Sequence, residues 1–206
     1  MKRLAEPDVL KRRLLTLAAL DVILCEEDWL RYHRFDPQWA QDVSLATIDN
    51  GAGDDLFILF APEGVIMKGF DHESALSPHA LGDDDVFSGI YDQTPLQLLA
   101  LLEDEAFEQE YVTFCIWRES SDTDWQMGDV KIPEGEEDGS DFLLGTIFET
   151  AEIYADWAQT YYDMQIPVEI VRQIYDGSAI TEAIIQSLNP YRNVQDALRE
   201  LDLLFT

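Results

Sequence analysis

Ser44-Leu45-Ala46-Thr47-Ile48, Leu56-Phe57-Ile58-Leu59-Phe60 and Val65-Ile66-Met67-Lys68-Gly69-Phe70 are three runs rich in β-branched, aromatic and other apolar residues. Asp49-Asn50-Gly51-Ala52-Gly53 separates the first two, and Pro62-Glu63-Gly64 the last two. Asn-Gly admits positive φ and Pro-x-Gly presets a reversal, so both links read as hairpin turns. Residues 44–70 therefore predict a three-stranded antiparallel meander. The middle run is apolar throughout, the pattern of a central strand covered on both faces.

Outward from the meander, Tyr111-Val112-Thr113-Phe114-Cys115-Ile116-Trp117 has strand composition, and Trp125 to Ile132 reads as another strand ending at Pro133. On the N-terminal side, Leu10, Leu14, Leu17, Ala18 and Leu24 recur at helical spacing, with Asp8 placed to cap after Pro7. Trp29, Tyr32, Phe35, Pro37 and Trp39 follow without a clear period, which suggests a short helix or loop over the core. Thr94-Pro95 opens a short helix carrying Leu96, Leu99 and Leu102. Phe142 to Tyr162 reads as one long amphipathic helix with a stripe at Leu144, Ile147, Ala151, Tyr154, Ala158 and Tyr161. Three more helices follow: one between Pro167 and Gly177, one over 180–188, and one capped by Asn193 with Val194, Leu198, Leu201 and Leu204 on one side.

The predicted fold class is α+β, with a small antiparallel sheet (the meander at 44–70 plus the strand at 111–117) packed by N- and C-terminal helices. With no Gly/Ser/Pro-rich linker, residues 1–206 read as one domain. It would comprise a helical segment 1–40, a sheet-containing core 41–133 and a helical part 138–206.

Charge is the largest anomaly. Forty-two acids stand against thirteen bases, a formal net charge of −29. Residues 1–34 hold seven bases and six acids, whereas the rest hold six bases and 36 acids, or −30. Such a surface disfavours nucleic acid and anionic membrane as partners and favours a basic protein. The same charge serves solubility, and its self-repulsion grows as salt is removed. The apolar stretch Leu14–Leu24 is shorter than the ~20 residues a span requires and carries Asp21, so neither a secretory signal nor a membrane span is read. Cys25 and Cys115, far apart and outside any C-x-x-C, read as buried free thiols of a cytoplasmic protein.

The densest polar cluster is Asp71-His72-Glu73-Ser74, with His79 seven residues beyond His72 and Asp83-Asp84-Asp85 nearby. Imidazole with carboxylate suits a borderline metal, with His72 and His79 as ligand candidates, and also suits acid–base work by Asp71, His72, Glu73 and His79. The other reading makes Asp71 and Ser74 turn-formers, with His72 hydrogen-bonded beneath the loop. In an extended chain, adjacent His72 and Glu73 point to opposite sides. Neither H-E-x-x-H nor a calcium-loop order occurs, Gly139-Ser140 lacks a nucleophile elbow, and no cofactor is implied. Arg118 reads as a structural partner for an acidic loop, and Trp117, Trp125 and Trp157 as core.

Ile48-Asp49-Asn50-Gly51 with Leu56-Phe57-Ile58, Gly69 to Ser74, and Thr113 to Arg118 together resemble a group of uncharacterised bacterial proteins with no assigned activity. The resemblance implies a bacterial cytoplasmic protein and carries over no catalytic residue. In class, small acidic α+β proteins of this kind are similar to immunity partners of secreted toxins. The expectation is a non-catalytic, inhibitor-like protein that binds a basic partner. The alternative is a hydrolase-like enzyme using Asp71, His72, Glu73 and His79 with a divalent ion.

Overall fold

The computed structural model describes residues 4–82 and 85–206; Lys2 and Arg3, two of the seven bases in residues 1–34, and Asp83 and Asp84 of the acidic run lie outside the described residues. Six strands form one antiparallel sheet in the order of the chain: β1 (His33–Ala40), β2 (Val43–Asp49), β3 (Asp55–Ala61), β4 (Gly64–Phe70), β5 (Phe114–Glu119) and β6 (Gln126–Met127). The α+β reading and the meander hold. Ile58 in the central strand pairs with Ala46 on one side and Met67 on the other.

The period of two divides the core between the sheet's faces. Ala46, Ile48, Leu56, Ile58, Phe60, Val65, Met67, Phe114 and Ile116 meet the terminal helices. Val43, Leu45, Leu59, Ile66, Cys115 and Trp117 meet Ile90, Leu98, Leu102, Phe107 and Val112 from the segment between β4 and β5. That segment holds two short helices, α2 (Pro78–Leu81) and α3 (Leu96–Leu99). The helical layer comprises α1 (Pro7–Leu24), α4 (Ser140–Gly145), α5 (Ala151–Tyr161), α6 (Val168–Tyr175), α7 (Glu182–Leu188) and α8 (Val194–Leu204). No described helix is long and apolar enough to cross a membrane.

Several local expectations are corrected. The N-terminal segment is not helical to residue 40, because the aromatic stretch becomes a 3-10 turn at Asp28–Leu30 and then edge strand β1. Its period was illegible because the pairing with β2 slips between Asp36 and Ala40, beside Pro37. The slip sends Phe35 to the helical face and Trp39 to the other, although both are odd-numbered. The strand expected over 125–132 stops at Met127. Gly128 passes so close to the Gly89 and Ile90 carbonyls that an added Cβ would lie 2.1 Å from an oxygen, which takes the chain out of the sheet. Two caps also move: Glu6 rather than Asp8 precedes α1, with Pro7 at its first position, and Pro95 rather than Thr94 precedes α3. On α3, Leu98 is buried while Leu96 is 81% exposed.

The helix expected over 142–162 is two. α4 ends at Gly145, and α5 starts afresh with the Thr150 side chain accepting from the Ile153 N–H. The interruption leaves the Thr146 carbonyl outside any helical ladder, 3.1 Å from His33 Nε2. At its other nitrogen, His33 Nδ1 lies 3.0 Å from Asp21 Oδ2, which also accepts the His33 main-chain N–H at 2.7 Å. The Tyr154 hydroxyl donates to Asp21 Oδ1 at 2.7 Å. Asp21 and Tyr154 are completely buried and His33 nearly so. The apolar run of α1 thus tolerates Asp21 because three donors from β1 and α5 replace its water.

Removing one member leaves buried charge or unfilled acceptors. Asp21→Asn and His33→Ala are each expected to cost about 3–5 kcal/mol, and Tyr154→Phe about 1–2 kcal/mol. Urea unfolding would measure this; midpoints equal to that of the unaltered protein would show that the network contributes nothing.

Candidate functional site

At the end of the sheet where β2 turns into β3 and β4 leaves it, a groove of about 630 Å³ opens. Thr47, Asp49, Asp55, Phe57 and Phe70 line it from β2, β3 and β4, Arg34 from β1, and Glu108 and Tyr111 from the segment before β5. His72 and His79 both reach it, as do Ala52, Gly53 and Asp54 of the hairpin loop.

The loop is built by its own side chains. Asp49 Oδ1 accepts the Gly51 N–H at 2.8 Å, and Asn50 Oδ1 accepts those of Ala52 and Asp54 at 2.8 and 3.2 Å. Gly51 sits at φ 67° and Gly53 at φ 106°, conformations glycine adopts without a Cβ clash. The turn drives Asp54 inward, where Oδ2 accepts from Asn50 Nδ2 at 2.5 Å. Oδ1 receives the His72 main-chain N–H at 2.9 Å and lies 2.7 Å from His72 Nδ1.

Asp71 to Ser74 form a turn, as one of the two sequence readings has it. Asp71 Oδ1 accepts the Glu73 N–H at 3.0 Å, its carbonyl accepts the Ser74 N–H at 3.1 Å, and Ser74 Oγ donates to the Glu137 carbonyl at 2.8 Å. Gly139 presses on Asp71 so closely that a Cβ would fall 2.4 Å from that of Asp71. His72, however, is not beneath the loop. Its side chain is 41% exposed and bonded sideways to Asp54, because the hairpin loop supplies the carboxylate.

The predicted candidates separate accordingly. One ligand atom each from Asp54, Asp71 and His72 lies within 4.8 Å of the others, a set that would suit a divalent ion. Glu73 and His79 are not in that set. His79 instead joins a ring cluster, with centroids 5.8 Å from Phe70 and 5.6 Å from Tyr111, while Phe70 and Tyr111 are 5.6 Å apart. Sequence reasoning missed Asp54, whose loop lacks the order of a calcium loop and is read as a hairpin turn. It also missed the Lys68–Asp55 pair. Lys68 is fully buried under the groove, 3.3 Å from Asp55 Oδ1 and 5.2 Å over the Phe57 ring. The available signal was a lone Lys at a core-facing position of an otherwise apolar strand.

These placements shift ionisation. Burial raises the Asp55 carboxyl to about 6 against the opposing pull of Lys68, and burial lowers Lys68 against the pull of Asp55. Burial pushes Asp54 up, but the His72 and Asn50 hydrogen bonds outweigh it, and the carboxyl lies below its ordinary value. The hydrogen bond to Asp54 and its charge raise His72. With Nδ1 held by Asp54, His72 presents Nε2 for a ligand or a proton, and among the described residues that nitrogen has no hydrogen-bond partner. Cys115 is a different case: burial lifts its thiol to about 12, and it serves packing. Arg118 pairs with Glu6 ahead of α1 at 2.9 Å and donates to the Asp122 carbonyl at 3.1 Å. Trp117 belongs to the core on the face covered by the segment between β4 and β5, and Trp125 and Trp157, partly buried, pack against the core on the helical face.

Comparison of the chain with protein-family models, with curated proteins and with solved structures returned no match in any of the three.

The raised His72 means that the folded state holds that proton more tightly than the unfolded chain. Its stabilisation is complete below the ordinary value of 6.5 and is lost as pH rises through the elevated folded value. Asp54, lowered, stabilises above its ordinary 3.8 and loses that contribution as pH falls through its folded value. Thermal melts should therefore show the greatest advantage of the unaltered protein over Asp54→Asn near about pH 5–6, shrinking toward about pH 8. In NMR titration the His72 midpoint should fall in Asp54→Asn; an unmoved midpoint would deny the coupling.

Proposed function

We propose that the protein is a non-catalytic binding protein of the inhibitor or immunity type, which engages a basic protein through its acidic face. One observation carries this reading: eight of the eleven described lysines and arginines are ion-paired with carboxylates of the chain itself, while an acidic loop beside the groove is in no ion pair among the described residues. Arg31 and Arg192 are buried against the C-terminal end of α1 and paired with Glu200, Lys68 of β4 is buried and paired with Asp55, and Arg34, Arg118 and Arg172 are paired with Asp49, Glu6 and Glu152. Residues 103–110 present Glu103, Asp104, Glu105, Glu108 and Glu110, all exposed and, among the described residues, none in an ion pair. Five like charges over eight residues lie within about a Debye length of their neighbours, so their fields add toward a cationic surface.

A second reading is favoured by the convergence of Asp54, Asp71 and His72. It takes the site as a divalent-ion centre of a hydrolase-like enzyme, with His72 as ligand or base. It predicts a melting shift with divalent ions that His72→Ala abolishes, and the binding reading predicts none.

Affinity capture from an extract of the source organism tests the binding reading. The immobilised protein should retain a basic protein at low salt and release it as salt rises, with affinity falling about tenfold or more between 50 and 200 mM. Neutralising Glu103, Asp104, Glu105, Glu108 and Glu110 to the amides should abolish retention. The same change at Glu134, Glu136, Glu137, Asp141 and Asp202 should largely preserve it. Equal retention by the two variants, or no salt-eluted partner, would refute the reading.

A further inference from the structure

We propose that the groove at the β2–β3 end of the sheet receives one guanidinium group, an arginine side chain of the basic partner, stacked on the Phe70–Tyr111–His79 rings and gripped at its edge by Glu108. This rests on the binding reading above and names the chemistry of its contact. The groove's 630 Å³ is within the size of small-ligand sites. Phe70, Tyr111 and His79, in mutual contact at 5.6–5.8 Å, form one wall, and Phe57 contributes from the sheet.

Most of the groove's charges are already matched. Asp49 holds Arg34 at 2.9 Å, Asp54 holds His72 at 2.7 Å and Asp55 holds Lys68 at 3.3 Å. Glu108 is the lining carboxylate that, among the described residues, has neither an ion pair nor a side-chain hydrogen bond. One further cation is therefore the charge this groove lacks, and an anion would meet four carboxylates. The same walls already hold cations of the chain itself, since Lys68 sits between Asp55 and the Phe57 ring and Arg34 pairs with Asp49.

A guanidinium suits the free position better than an ammonium. It is planar and weakly hydrated, it stacks on ring faces, and its forked N–H groups can hold a carboxylate while the face rests on a ring. An ammonium must give up a tighter hydration shell and gains no stacking. Glu108 also stands in the left-handed region, at φ 41° and ψ 63°. A glycine would take that conformation more readily, so the carboxylate can be removed without harming the fold.

The test is an NMR titration of the full chain with three blocked tripeptides, Gly-Arg-Gly, Gly-Lys-Gly and Gly-citrulline-Gly. The arginine peptide should shift the ring signals of Phe70, Tyr111 and His79 saturably and bind about fivefold or more tighter than the lysine peptide, with the neutral citrulline peptide silent. Glu108→Gly should weaken the arginine peptide about tenfold while melting at or above the temperature of the unaltered protein. Tyr111→Ala should weaken it comparably. Equal binding of lysine and arginine, full binding by Glu108→Gly, or shifts confined to Glu103–Glu105 would each overturn the proposal. Capture of a basic protein without entry of the arginine peptide would refute this contact and leave the binding reading standing. Entry of the peptide without any captured protein would do the reverse.

Discussion

The Asp21 carboxylate, buried in α1, is the constraint around which the helical layer is arranged. It is reached by the His33 main chain and ring from β1 and by the Tyr154 hydroxyl from α5. His33 in turn faces the Thr146 carbonyl, which is available because α4 and α5 are separate helices. A charge without water is tolerable only when its acceptors are filled, so α1, the edge strand and α5 must meet at this point or not at all. The surrounding rings of Tyr32, Phe148 and Trp157 leave His33 no alternative partner in water.

The C-terminal end of α1 shows a second form of the same requirement. Its last carbonyls find donors from distant residues, Asn189 Nδ2 reaching those of Ile23 and Leu24 and Arg192 Nε that of Val22, while nearby Arg31 donates to the carbonyls of Cys25 and Glu26 just beyond the helix. Two guanidiniums at a helix C-terminus also complement its dipole. With only thirteen bases in the chain, cations committed to the interior are withdrawn from the surface, which accentuates the acidity outside. Fold and proposed function are linked there: with cations this scarce and several committed to the interior, the loop at 103–110 is in no ion pair among the described residues.

At the groove, the sheet supplies a rigid floor and the loops supply the chemistry. The hairpin loop turns Asp54 toward His72, the turn at 71–74 is braced by Glu137 and Gly139, and the segment before β5 brings Glu108 and Tyr111 across. The groove thus combines an imidazole oriented by Asp54, with Asp71 close by, and a wall of aromatic rings. The pairing of each cation with its own carboxylate keeps the floor close to neutral, and the unmatched charge is at the rim.

The meander at 44–70, the buried stripe of α1 and the short helices at the C-terminus were legible in the chain, because hairpin turns, helical periods and Asn or Thr caps are local properties that need no distant partner. The turn at Asp71–Ser74 was legible for the same reason. Strand β1 was not, since the slip beside Pro37 puts Phe35 and Trp39 on opposite faces and erases the alternation that identifies a strand. Nor was the break between α4 and α5, where the Thr146 carbonyl meets His33, a residue more than a hundred positions away. The candidate site divides along the same line. Sequence singled out Asp71, His72, Glu73 and His79, but only the packed sheet decided that His72 turns to Asp54, that Glu73 stays out of the converging set, that His79 joins Phe70 and Tyr111, and that Lys68 is held by Asp55. Local conformation follows from neighbouring residues, whereas the partner of a buried charge is chosen by whatever the completed fold brings within hydrogen-bonding distance.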